Sequence, residues 1–401
     1  MISDKARELH FSSLVFDTHS DSLGRIVDDK EDFGTNTLKG HMDLPRMKSG
    51  NQNAQFFAAF VDSERFTVQE AVKRANQYFD AFDNLCIKYP EILVQAKTAS
   101  DVVRIRKEDK IAGILCVEGG HAIVDSLDVL NNFYSRGVRY MTLTHNMSNN
   151  WADGIQDEAR NDAIIGWKKS KLIHENNGWL KYDTRHNGLT EFGRKVIKEM
   201  NKIGMIIDIS HVARKTFWDV IETTNKPVMA SHSSAYSITQ NPRNIDDDQL
   251  KAVSKNNGVV CVNYEVTFVS NQCNQETRKI DIWKQNEIKK LESTHKIGSK
   301  THQEYLKKIN IEHNKLSAPL LKQPIYTEII DHIDHMVNIA GIDHVGLGSD
   351  FDGSRTPTGM EDCSKIPLIT QELLNRNYTD QDIRKILGLN VLRVLEDVTG
   401  S

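Results

Sequence analysis

The stretch SSLVFDTHSD, residues 12–21, runs from the apolar Leu14, Val15 and Phe16 directly into His19 and Asp21. An apolar run too short for a helix reads as a buried strand, and this one delivers an imidazole and a carboxylate where it ends. Seven further runs of the same kind follow: NAQFFAAFV (53–61), IAGILCVE (111–118), VRYMTLTH (138–145), GMIIDISH (204–211), PVMASHS (227–233), GVVCVNY (258–264) and HVGLGSD (344–350). Near-continuous hydrophobicity marks strands covered on both faces, hence a parallel sheet. Between most of them lie stretches of helical period, among them TVQEAVKRANQYFDAF, SLDVLNNFYSRG, LTEFGRKVIKEMNKIG, ARKTFWDVIETTN and DDDQLKAVSKNNG, several closed by a Gly suited to a helix C-terminus. Eight strands alternating with helices is the count of an α/β chain folded as a closed (β/α)8 TIM-type barrel, here expected as one domain over residues 1–401. An open doubly wound sheet is the rival fold, weakened by the absence of a G-x-G-x-x-G turn after the first strand.

Six of the eight runs end in residues able to bind a metal or move a proton: His19 with Asp21, Glu118, His145, His211, His232 and Asp350. In a barrel all strand C-termini converge on one mouth, so segments far apart in sequence deliver these groups to one place. Taken singly, His-x-Asp reads as a cap or surface loop and a lone buried His as a hydrogen-bonded core residue. The conjunction is what points to a site. Glu118 closes an apolar run before Gly119 and Gly120, and a buried carboxylate needs a cation or donors to offset its desolvation. The set His19, Asp21, Glu118, His211 and His232 mixes imidazole with hard oxygen and lacks thiolate, which suits zinc, with cobalt or manganese as substitutes. Five ligands exceed what one catalytic zinc uses, and a carboxylate bridging two ions accounts for the surplus.

His145 and Asp350 then remain for other work. Asp350 fits the relay of a proton to a leaving group, His145 fits donation to an oxyanion, and either fits a prop that orients a ligand. Arg243, in NPRNIDDD, reads either as a surface partner of Asp246 or Asp247 or as a clamp on a substrate carboxylate. His10, His41, His174, His186, His295, His302 and His313 lie in polar loop or helical contexts and receive no site role.

The net charge of −4 comes from mixed charges without a long basic run before residue 270, so the footprint of a nucleic-acid protein is missing and a small partner is expected. Five scattered cysteines without a CxxC argue against a disulfide framework. No window approaches the roughly 18 apolar residues that cross a bilayer, and MISDKARELHFSS lacks a signal-peptide core. The expectation is a cytoplasmic chain without a membrane association, or a periplasmic one had a leader been removed.

Several strings together resemble the renal (membrane) dipeptidase family, dinuclear zinc peptidases on an amidohydrolase-type barrel: DTHSD (17–21), VEGGHAI (117–123), GVRYMTLTHN (137–146), GLTEFGRKVIKEMNKIGMIIDISHV (188–212), PVMASHSSAYSI (227–238), NPRNIDDDQL (241–250), HVGLGSDFDG (344–353) and LGLNVLRV (387–394). The resemblance implies that His19 and Asp21 hold one zinc, His211 and His232 the other, and that Glu118 bridges the two ions. It implies that His145 contacts the tetrahedral intermediate, that Asp350 shuttles the proton, and that Arg243 grips the free carboxylate of a dipeptide. A C-terminal D-residue is tolerated in that family, and a homodimer is the implied assembly. Tyr264 stands in a slightly different frame from the family's tyrosine and is left unassigned. Residues 270–318 are longer and more lysine-rich than the matching connection of the animal enzymes. Ile282, Trp283, Ile288 and Leu291 at helical spacing predict one or two amphipathic helices there, expected as a solvated surface insertion, with a lid or a dimer contact as the alternatives. The loop 148–187 is expected to supply pocket walls. Two rival functions stay open: hydrolysis of a lactam, cyclic amide or small ester on the same metals, and a non-catalytic binding barrel.

Overall fold

Each of the eight apolar runs forms a parallel strand in the computed structural model, which describes residues 2–37, 39–62, 65–155 and 186–400. In chain order the strands are β1 Phe16–Ser20, β2 Ala54–Phe60, β3 Leu93–Gln95, β4 Ile111–Glu118, β5 Val138–Thr142, β6 Ile206–Asp208, β7 Met229–Ala230, β8 Val259–Val262 and β9 Val345–Leu347. Strand β3 has no counterpart among the expected runs, because three residues carry too little periodicity to register. It pairs with the first half of β4, Leu93 opposite Ile111, while β5 takes the second half, Leu115 opposite Val138. The other eight strands close into a barrel: β2 pairs with both β1 and β4, the order continues through β5 to β9, and β9 returns to β1 with Leu347 opposite Asp17.

The helices between strands follow from local signals. The helix Val68–Lys88 begins with a reciprocal Thr67 and Glu70 cap, and Asp247–Lys255 begins with the same arrangement of Asp246 and Gln249. Helix Glu191–Ile203 buries Val196, Ile197 and Met200 on one face and stops at Gly204, whose φ of 81° only glycine adopts without strain.

Alternation along the strands decides what reaches the barrel interior. Phe56 and Ala58 of β2, Ile114 and Cys116 of β4, Ile206 of β6, and Val259 and Cys261 of β8 share one buried cluster. Continuing the β4, β6 and β8 series by two residues gives Glu118, Asp208 and Asn263, so polar groups occupy the inward register where these strands end. Val391, Val394, Leu395 and Val398 of the helix Asn390–Thr399 belong to the same cluster and plug the opposite end.

His10, expected to have no site role, is a tie between segments: its Nδ1 lies 2.7 Å from Thr370 Oγ1 and its Nε2 2.9 Å from the Gly50 carbonyl. Burial pushes it down to about 4, against a partial opposing effect of the Gly50 bond. Because the folded value lies below the unfolded one, the unfolded chain binds the proton more readily. The stability contributed by neutral His10 is therefore full above pH 6.5 and lost as pH falls through about 4, at most about 3 kcal/mol. The urea midpoint of the wild type should fall more steeply over that interval than that of His10→Gln, and equal slopes would refute the assignment.

Candidate active site

A cavity of 870 Å³ opens at the mouth, lined among others by Asp21, Glu118, His145, His211, Arg243 and Asp350. His19 and His232 sit just beneath, almost fully buried. All eight residues singled out in the sequence thus converge. His211 Nε2 lies 3.0 Å and His232 Nε2 3.5 Å from Glu118 Oε1, while His19 Nε2 lies 3.4 Å from Glu118 Oε2 and 3.9 Å from Asp21 Oδ1. His211 Nε2 and His232 Nε2 are 2.8 Å apart.

Hydrogen bonds on the far side of each imidazole assign its tautomer. Tyr140 donates its hydroxyl to the Thr18 carbonyl at 3.0 Å and so accepts from His19 Nδ1 at 2.7 Å. Ser231 donates to Asp208 Oδ2 at 2.6 Å and so accepts from His232 Nδ1 at 2.7 Å. His211 Nδ1 donates to Asn146 Oδ1 at 2.8 Å. Each ring therefore carries its proton on Nδ1 and presents a bare Nε2 lone pair to the same carboxylate. Lone pairs facing a carboxylate repel unless a cation lies between them, and an uncompensated buried carboxylate costs several kcal/mol. His19 Nε2 and Asp21 Oδ1 are buried without a hydrogen-bond partner among the described residues. The donor set fits metal ions.

The electrostatics of the protein groups agree. Burial lowers His19, but the Glu118 carboxylate, with Asp21 and Asp350, outweighs it and lifts the ring to about 10, a proton standing in for a cation. Burial and the neighbouring Glu118 raise Asp21 well above the usual carboxylate range. Asp350 is pushed up to about 7 by burial and Glu118, against His19 and the Asn263 amide that donates to its Oδ2 at 3.0 Å. Burial brings Arg243 down to about 10 and lowers His145. Three groups of side chains come within ligating reach of one another: His19, Glu118 and His232; Glu118, His145 and His211; and His19, Asp21 and Asp350. His145 is half-buried, its ring 4.7 Å from that of His211.

The regular strands stop earlier than the apolar runs predict, so His145, His211, His232 and Asp350 stand two or three residues beyond the strand ends. Two buried carboxylates explain the shortening. Asp17 Oδ1 accepts the His19 and Ser349 amides at 3.0 and 3.1 Å, and Asp208 Oδ1 accepts the Ser210 and Ser231 amides at 3.0 and 2.9 Å, replacing ladder bonds. Beyond the strand ends, His211 and Asp350 adopt φ of 67° and 59°, a region that costs a non-glycine residue roughly 1–3 kcal/mol and clusters at functional sites. Gly353 makes room: a Cβ there would come within 2.0 Å of Asp21 Oδ2.

The family model described as membrane dipeptidase, peptidase family M19, matches residues 3–400. The chain belongs to the membrane dipeptidase family. It is by that membership a metal-dependent dipeptidase. Three solved structures of similar fold are a dipeptidase of family M19, a Rhodobacter sphaeroides metallopeptidase and the probable dipeptidase PvdM from Pseudomonas aeruginosa. The first is 24% identical with a TM-score of 0.74, covering 97% of this chain and 99% of that one. The second is 23% identical with a TM-score of 0.73, covering 96% and 99%, and carries a phosphinate mimic of the dipeptide L-Ala-D-Ala. PvdM is 23% identical with a TM-score of 0.79, covering 98% of each chain. The (β/α)8 fold of this family member is common to all three.

Arg243, read in the sequence as either a surface partner or a clamp, is 4% exposed and faces the cavity; its guanidinium donates to the His232 carbonyl at 3.1 Å and stacks over Phe268. Sequence reasoning missed Asp208 and Asn263, although both are polar residues ending an apolar run, the signal that found Glu118. It missed Tyr140 and Asn146 because nothing local marks which hydroxyl or amide meets an imidazole. Tyr264 is fully buried, 5.7 Å from the Phe351 ring. Residues 270–318, expected as helices on a solvated surface, form Asn271–Thr294 and Lys300–Leu320, and Asn274, Thr277, Arg278, Asp281, His313 and Ser317 line the cavity. His313 thus stands on the cavity wall. Of the loop 148–187, residues 156–185, which include His174, lie outside the described residues. Among the described residues no helix is long and apolar enough to cross a membrane.

Proposed function

We propose that the chain is a dinuclear zinc dipeptidase that acts on dipeptides with a free C-terminal carboxylate and accepts a D-residue at that position. The observation that carries this reading is the convergence of three Nε2 lone pairs on Glu118. In it, His19 and Asp21 hold one ion, His211 and His232 the other, and Glu118 serves both. Zinc bound there would polarise the peptide carbonyl and bring the pKa of a water toward neutrality.

The protein's own groups do the rest. The Arg243 guanidinium, desolvated and without a carboxylate partner among the described residues, takes the substrate's C-terminal carboxylate in a bidentate grip. His145 donates to the oxyanion as the carbonyl carbon becomes tetrahedral. Asp350 moves a proton to the departing amine, and the C–N bond breaks to release two amino acids. Acceptance of a D-residue draws support from the L-Ala-D-Ala mimic carried by the Rhodobacter sphaeroides protein. The helices of 270–318 are read as an insertion within one catalytic domain.

The test is hydrolysis of paired L,L and L,D dipeptides by protein of measured metal content, beside Arg243→Ala. The expected result is about two zinc ions per chain, turnover of both series, and a 10- to 100-fold rise in KM in the variant, the worth of a charge-assisted pair. Dipeptide turnover that ignores Arg243→Ala, or turnover confined to lactams or esters, would instead support the rival hydrolase. Absence of metal would support a binding barrel.

A further inference from the structure

The first turn of the helix Asn271–Thr294 is clamped to the loop that carries Arg243. Asn274 accepts from Asn241 Nδ2 at 3.2 Å and donates to the Gln240 carbonyl at 3.2 Å, while Asn241 Oδ1 accepts the Arg243 amide at 3.0 Å. Arg278, one turn further along the same helix, also lines the cavity, and the clamp holds its backbone in register with that of Arg243. Asp281, the carboxylate at the i+3 position that would normally neutralise it, is taken by His313 of the second helix at 2.7 Å. Arg278 is half-buried and makes no hydrogen bond or ion pair with any described residue. Other guanidiniums on the cavity are engaged, Arg25 with Glu31 and Asp352, and Arg355 with Glu265, while Arg65 is exposed against Phe66. Arg243 and Arg278 are thus two guanidiniums on the cavity without carboxylate partners among the described residues.

We infer that Arg278 is a specificity-determining residue that receives a second carboxylate, so that the preferred dipeptides carry an acidic side chain. This rests on the dipeptidase reading above, in which Arg243 takes the C-terminal carboxylate. A planar guanidinium binds a carboxylate through paired, charge-assisted hydrogen bonds and gains little from the neutral amide of the same shape.

The experiment compares kcat/KM for isosteric acid and amide pairs, Glu-Ala with Gln-Ala and Ala-Glu with Ala-Gln, the latter in both chiralities. The ratio is internal to each preparation, so partial misfolding of a variant cancels. In at least one pair the wild type should favour the acid by about tenfold, the ratio should fall to about one in Arg278→Ala, and in Arg278→Glu it should drop below one. Equal turnover of acid and amide by the wild type, or a preference that survives both substitutions, overturns the inference while leaving the dipeptidase reading intact. Failure to hydrolyse any dipeptide overturns both.

Discussion

Glu118→Ala is expected to leave the barrel folded, lower its metal content from about two ions per chain to less than one, and reduce dipeptide kcat/KM by at least about a thousandfold. Glu118 is 3% exposed and its carboxylate lies 3.0–3.5 Å from three imidazole nitrogens, so it is the group common to the three rings. Its removal takes away the negative charge that the three rings share, and the several kcal/mol that metal polarisation contributes to the transition state go with it. The fold should tolerate the change. Glu118 is the main influence that lifts His19 against burial, so its removal takes away a buried carboxylate together with most of the pull that would hold a proton on that ring. Elemental analysis and a dipeptide assay at added zinc check the claim, with thermal unfolding as a second readout. Zinc at a thousand times its Kd should stabilise the wild type by about 4 kcal/mol, and the variant should show little of that gain. A variant that retains two ions and most of its rate would move the shared ligand elsewhere.

Asp350→Asn is the second large effect, separated from the first by what it should leave alone. Asparagine preserves the shape and can still meet the Asn263 amide group, which now donates to Asp350 Oδ2 at 3.0 Å, but it cannot take up and release a proton. Burial places the Asp350 carboxyl at about 7, close to the pH at which a proton relay is most effective. The expected result is a kcat lower by about 10²- to 10⁴-fold with KM and metal content unchanged. Since Asp350 also stands within ligating reach of His19 and Asp21, loss of one ion per chain in the variant would make it a ligand. A kcat within tenfold of the wild type would reduce it to an orienting role.

The outline of this site was legible before any packing was known, for a reason visible in β4. The inward series of β4 (Ala112, Ile114, Cys116 and Glu118) is a two-residue periodicity, a local property of an extended chain, and its last member is charged where the others are apolar. The ends of the apolar runs likewise placed His19, His211, His232 and Asp350 at the mouth, although the first three do not continue the inward series of Phe16, Ile206 and Met229. That signal did not single out the cavity-lining residues of 270–318, a stretch whose composition reads as a solvated surface. Only the clamp of Asn274 on the loop at 240–243 turns Arg278 and Asp281 toward the cavity.

What the sequence by itself determined is the barrel, its strand order and the residue types at its mouth, because hydrophobic period and strand ends depend on neighbours along the chain. What only the tertiary structure decided is the chemical state of those residues. His19 presents Nε2 to Glu118 because Tyr140, 121 positions away, occupies Nδ1, and His232 does so because Asp208 holds Ser231. A tautomer is chosen by the hydrogen bond on the other nitrogen, and that partner arrives through space once the barrel has closed.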